Sequence, residues 1–280
     1  MGCCFFVSDL HGRRNRYRAL WASIAGERPE AVFLGGDLLP MWMQEGDFHT
    51  TTLFPGFERL RASLGAAYPR VFLILGNDDP RIFTDDFEQA ERDGLCECMH
   101  KRRARLGELS VYGYSHVPPT PFQLKDWERY DVSRYVDPGC LPLEEGRRSV
   151  PIPERRIRYE TIAEDLADLT GDQDLTQAIC LFHTPPYDGV LDLADLAGRT
   201  VDHVPLDPHV GSVAVRRFIA ARQPLITLHG HVHESTRLTG AWRETRGRTT
   251  CFNAAHDGPE LSLIRFDPAD PGSATRELLP

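Results

Sequence analysis

The chain has 280 residues, a length that suits one large α/β domain spanning 1–280 with insertions. Its 41% hydrophobic and 26% charged residues are ordinary globular values, and no segment approaches the roughly 18 apolar residues of a membrane-spanning helix. A formal charge of −9 argues against a sequence-independent grip on duplex nucleic acid, which needs a phosphate-neutralising basic surface.

The opening "MGCCFF" invites comparison with a lipidation signal, but Phe6 stands where that signal wants Ser or Thr, so Cys3 to Val7 reads as a buried first strand. No basic stretch followed by an apolar run and a cleavage site marks secretion. Seven cysteines, an odd number without paired CxxC spacing, read as reduced thiols of a cytoplasmic protein.

Next come a helix, with Tyr17, Leu20, Trp21 and Ile24 on one stripe, and a strand "AVFLGGD". A second amphipathic stretch leads to "RVFLILGND". This is the βαβ rhythm of a largely parallel sheet covered by helices. Residues 116–156 break it with many prolines and the aromatics Phe122, Trp127, Tyr130 and Tyr135. So long an irregular stretch reads as a lid or binding loop, with Phe122 and Trp127 as its own small core. Within 146–160 the basic run "GRRSVPIPERRIRYE" reads as a solvated face rather than a groove. Further strands are predicted at 109–115, 178–183, 224–231, 249–255 and 261–266, and Ser212 caps a helix carrying Val215, Phe218 and Ile219.

Polar residues recur where apolar runs end: Asp9 and His11 in "SDLHG", Asp37 in "GGDLL", Asn77 in "GNDD", His183 in "LFHTPPY", His231 and His233 in "HGHVHE". Parallel strands would deliver them to one sheet edge, where α/β proteins place ligand sites. Carboxylates, one amide oxygen and imidazoles suit borderline divalent ions such as Mn²⁺, Fe²⁺, Zn²⁺ or Ni²⁺. Seven ligands exceed the needs of one tetrahedral ion and match two ions sharing a carboxylate.

These motifs resemble the calcineurin-like metallophosphoesterase superfamily, whose signature runs D-x-H, G-D, G-N-H-D or -E, H and G-H-x-H. The resemblance covers about residues 5–255 and extends through "HTPPYDGVLDLA" and "HVGSVAVRRFIAARQPLITLHGHVHES" to a microbial branch of that superfamily. It implies a four-layer αββα sandwich of two mixed sheets. By position it implies a first metal on Asp9, His11 and His233, a second on Asn77, His183 and His231, and Asp37 bridging. A hydroxide generated between two such cations would attack phosphorus in line. The expected function is hydrolysis of small phosphoesters, phosphodiesters preferred, on substrates that include nucleotide-like ones. The alternatives are a phosphomonoesterase or nucleotide pyrophosphohydrolase, and a non-catalytic metal-bound scaffold of the same fold.

One position departs from the family: Asp78 stands where a histidine usually helps the leaving oxygen. A carboxylate cannot protonate that oxygen at neutral pH unless its pKa is raised. The preferred expectation is that Asp78 faces away or bonds backbone in its turn, and the enzyme uses diesters whose leaving group needs little protonation. Alternatively another histidine substitutes, His116, His203, His209 and His229 being the candidates, or catalysis is lost. Asp79, closing the turn, is expected to hold a ligand or the loop.

Overall fold

The protein is described from a computed structural model covering residues 2–41 and 46–280. In chain order the first half contributes β1 (Cys4–Val7), α1 (Arg14–Glu27), β2 (Ala31–Gly35), α2 (Phe54–Leu64), β3 (Arg70–Ile74), α3 (Thr84–Arg92), β4 (Glu97–Cys98), β5 (Arg102–Leu106) and β6 (Leu109–Tyr114). After the long irregular insertion come α4 (Glu154–Tyr159), α5 (Ile162–Thr170), β7 (Ala178–Phe182), a small hairpin of β8 (Thr200–Val201) and β9 (Val204–Pro205), α6 (Val213–Arg222) and β10 (Ile226–His229). The chain closes with α7 (Ser235–Thr239), β11 (Arg243–Arg246), β12 (Thr249–Asn253), β13 (Leu261–Asp267) and β14 (Asp270–Leu279).

Two six-stranded mixed sheets result, in the orders β14-β13-β1-β2-β3-β4 and β11-β12-β10-β7-β6-β5. Their central strands, β1-β2-β3 in one and β6-β7-β10-β12 in the other, run parallel. Being covered on both faces, these strands are continuous apolar runs rather than alternating ones. Alternate residues part company: Cys4 and Phe6 of β1 join Phe33, Phe72, Ile179, Leu181 and Phe252 between the sheets. Phe5 and Val7 instead pack outward with Tyr17, Leu20 and Ile24 of α1. On the other side, Tyr114, Cys180 and Phe182 meet Ile162 and Leu166 of α5 and Val215, Phe218 and Ile219 of α6. The layers are therefore helix, sheet, sheet, helix, as the resemblance implied.

The insertion is packed rather than loose. Val117, Leu124, Trp127, Tyr130 and Leu143 are buried, and a buried ion pair joins Lys125 Nζ to Glu128 Oε2 at 2.6 Å. Trp127 belongs to the main outer core beside Phe87 and Leu95, whereas Phe122 is 55% exposed. The expectation that these two form a private core is thus corrected. In the basic run, Arg156 and Arg158 pair with Glu160 and Glu154 one turn away, the solvated helix face expected there. All seven cysteines are free thiols, and no helix of the described residues is long and apolar enough to cross a membrane.

Candidate metal centre and active site

Each polar residue predicted to converge lies just past the C-terminal end of a parallel strand. Asp9 and His11 follow β1, Asp37 follows β2, Asn77 follows β3, His183 follows β7, and His231 and His233 follow β10. The turn backbone is unusual: Asp9, His11, Asp37 and His231 have φ of 57°, 46°, 51° and 71°. Non-glycine residues seldom adopt such angles, and they persist where surrounding structure fixes a side chain for use. Two glycines let the chains close in. A Cβ on Gly36 would lie 2.7 Å from His183 Nδ1, and one on Gly76 would lie 2.3 Å from Asp37 Oδ1.

The donor atoms form two groups, Asp9, His11, Asp37 and His233 in one and Asp37, His183 and His231 in the other, each within 4.8 Å of one another. Asp37 belongs to both. Its Oδ2 lies 3.3 Å from His183 Nε2 and 3.9 Å from His11 Nε2, while its Oδ1 accepts the Asp78 N–H at 2.8 Å. Asp9 Oδ1 lies 3.0 Å from His233 Nε2, and Asn77 Oδ1 lies 3.1 Å from His183 Nε2. The sequence-predicted seven are thus brought together.

The residues around them fix their orientation. His183 Nδ1 is 2.7 Å from the Gly35 carbonyl, which can only accept, so Nδ1 carries hydrogen and Nε2 faces the cluster. Asp79 accepts N–H bonds from Leu38, Leu39 and Gly76, tying the Asn77 turn to the Asp37 turn, as expected of it. Arg16, buried on α1, donates to the carbonyls of Asp9, His256 and Gly258. Sequence reading missed Arg16, and its only signal was an arginine interrupting the inward stripe of a helix.

The electrostatics match a site built for positive charge. Burial pushes the Asp9 and Asp37 carboxyls up, but the surrounding imidazoles more than offset it and hold both low. Burial would lower His183, yet Asp37 and Asp9 raise it to about 10. The two carboxylates therefore favour positive charge at this point, and the mixed O and N donor set fits divalent ions.

The structure corrects the expectation for Asp78. Its carboxylate does not turn away: Oδ2 lies 3.7 Å from His11 Nδ1, and Oδ1 accepts from Asn77 Nδ2 at 3.1 Å. Burial, then Asp37 and Asp79, push it up to about 8. None of the four substitute histidines joins the cluster. His116 is buried among His100, Tyr114 and Trp127, with Nδ1 3.9 Å from Asp165 Oδ2. His229 is satisfied by the Thr184 carbonyl and the Thr227 hydroxyl. His203 lies in the β8–β9 turn and is exposed. His209 Nδ1 bonds Asp192 Oδ1 at 2.9 Å beside Tyr187, on the wall of a neighbouring cavity.

Two parallel-centred sheets face each other, with Asp9, His11, Asp37 and Asn77 from one and His183, His231 and His233 from the other meeting at one edge in groups able to hold metal ions. The chain belongs to the calcineurin-like phosphoesterase family, whose sequence model matches residues 5–235, and is accordingly a metal-dependent phosphoesterase. Solved structures share its fold. TT1561 of Thermus thermophilus is 15% identical with a TM-score of 0.55, covering 99% of this chain and 98% of its own. A dimetal phosphatase from Danio rerio is 12% identical with a TM-score of 0.54, covering 94% of this chain and 91% of its own. No curated protein matches.

Proposed function

We propose that this chain hydrolyses small phosphodiesters with two divalent ions, the first on Asp9, His11 and His233, the second on Asn77, His183 and His231, with Asp37 bridging. The observation that carries this reading is the Asp37 carboxylate, which lies within ligand range of both donor groups. Mn²⁺, Fe²⁺, Zn²⁺ and Ni²⁺ suit the donors. When bound, the pair supplies charge neutralisation and an activated water. The protein's own part is placement. The Gly35 carbonyl holds His183, Asp79 locks the two acidic turns, and Arg16 pins the loop that carries Asp9. The Danio rerio protein of the same fold is itself described as a dimetal phosphatase.

The orientation of Asp78 favours a second reading, in which it stands on the substrate side of the cluster and monoesters are also cleaved. One experiment separates the two. Metal-stripped protein is reloaded with each ion in turn and assayed on bis-p-nitrophenyl phosphate and p-nitrophenyl phosphate. Diester turnover restored by Mn²⁺ or Ni²⁺ with little monoester turnover supports the first reading. Comparable turnover of both supports the second, and silence with every ion overturns both in favour of an unusual substrate or a non-catalytic scaffold. In Asp37→Asn, activity on either ester falls by at least about a hundredfold, the scale of losing a group that acts on transition-state charge.

A further inference from the structure

Beside the cluster the insertion and the 187–213 segment enclose two cavities. One of about 210 Å³ reaches His231 and Val232, and one of about 400 Å³ reaches Tyr187 and His209. Pro118, Pro119, Cys140, Leu196 and Val210 line both, so the two form a single groove leading away from the proposed metals. Its near half is largely apolar, with Pro121, Phe122 and Ala194, and carries one carboxylate, Glu234, at the end beside His231 and Val232. Its far half holds three carboxylates, Asp131, Asp137 and Asp207, and two tyrosines, Tyr135 and Tyr187. Among the described residues no lysine or arginine lines either half, in a chain that has 32 of them.

Most of these groups have structural work. Asp131 accepts from Ser212 Oγ and from the N–H groups of Val213 and Ala214 at the start of α6. Asp207 accepts from the Tyr187 hydroxyl at 2.7 Å and the His209 N–H at 2.8 Å. Arg216 already lies over the Tyr187 ring. Two groups stand apart. Among the described residues nothing pairs with the exposed Asp137 carboxylate, whose pKa is raised above the ordinary value by partial burial and then by the negative charges of Asp207 and Asp131, which a cation would offset. The Tyr135 ring is 68% exposed and, among the described residues, packs on no other ring or cation. A free carboxylate and a free aromatic face in a cavity lined by no described lysine or arginine are complementary to a positively charged organic group, whereas an anionic arm would meet three carboxylates there.

We infer that the far end of this groove binds an organic ammonium carried on one arm of the phosphodiester, with Asp137 pairing its charge, Tyr135 covering it, and the apolar near half taking the intervening carbon chain. The inference rests on the phosphodiesterase reading for the position of the phosphate. The test uses p-nitrophenyl phosphodiesters whose second arm is a hexyl chain ending in trimethylammonium or in its neutral isostere, tert-butyl. The cationic ester should be favoured about tenfold in kcat/KM, the scale of one cation–π contact supported by a carboxylate. In Asp137→Asn and Tyr135→Ala that ratio falls toward one, while Tyr135→Phe keeps it. A ratio near one in the wild type, or one that neither Asp137→Asn nor Tyr135→Ala changes, overturns the inference. If neither ester is cleaved under any metal, that failure belongs to the phosphodiesterase reading. The subsite is then decided by ligand-observed NMR with hexyltrimethylammonium: binding lost in Asp137→Asn supports it, and no binding to the wild type overturns it.

Discussion

At residue 78 the side chain lies between His11 and Asn77, and its N–H holds one oxygen of Asp37, so the position shapes the cluster through backbone and side chain alike. Replacing Asp78 by His leaves that N–H in place and puts an imidazole on the proposed substrate side of the cluster. Monoester hydrolysis should rise severalfold more than diester hydrolysis; unchanged rates for both would mean that Asp78 takes no part in leaving-group departure. A different buried carboxyl gives a pH prediction. Burial raises Glu128 from the ordinary glutamate value to about 7, despite its pairing with Lys125. Because the folded state holds that proton more tightly, the contribution is fully present below the unfolded value and is lost as pH rises through about 7. Glu128→Gln, which strands the Lys125 charge, should cost about 3 kcal/mol yet flatten the fall in urea midpoint between pH 5 and pH 8; an equally steep fall in the variant would show that another group controls it. The seven clustered residues were legible in the sequence because each ends an apolar run, and strand geometry turns that position into convergence. The direction of Asp78 was not, since a turn decides it, and Arg16 was hidden by lying on a helix with no motif around it.

Among the elements, α6 shows how the insertion is tied down. Ser212 accepts the Val215 N–H, the cap legible in sequence, and Asp131 then reaches from the insertion to the Val213 and Ala214 N–H groups, a second cap that no local pattern announces. Asp131→Ala should lower stability by about 1–2 kcal/mol, read from the urea midpoint; no loss would mean that Ser212 alone satisfies the helix end. All eight strands read from sequence are present, since their apolar runs are long and buried on both faces. The strands not foreseen lie at edges or in short pairs, where one side meets solvent. β5 reads as an arginine cluster, three of the four residues of β11 are charged, and β14 begins Asp-Pro-Gly, ordinarily a turn. They form because a neighbouring strand offers an unpaired ladder, which is tertiary information.

For the whole molecule, the sandwich is joined between its sheets where Phe252 of the second meets Phe266 of the first at 5.7 Å, and Phe266 in turn lies 5.9 Å from Phe33, which stacks on its sheet neighbour Phe72 at 5.2 Å. Phe33→Ala should cost about 3–5 kcal/mol. The proposed ions add a second, removable connection. Protein held at a hundredfold excess over Kd of Mn²⁺ should gain about 2.7 kcal/mol over chelator-treated protein, melting roughly 5–10 °C higher by calorimetry. Equal melting temperatures would mean that the cluster binds no ion worth counting. The placement of the cluster also bears on how the chain acquires activity. Asp9 meets His231 and His233 across more than two hundred residues of sequence, and Asp9, Asp37 and Asn77 come from one sheet while His183, His231 and His233 come from the other. Neither half of the chain holds both sides of the cage. During synthesis only the β1-β2-β3-β4 part of the first sheet can pair while the ribosome is still making β10, because β13 and β14 come later, and tight capture of the proposed ions must wait until the second sheet has docked. Uptake of a tightly held ion is therefore a late clock on folding, and a chain arrested before His231 emerges, still lacking β13 beside β1, should be unable to retain metal.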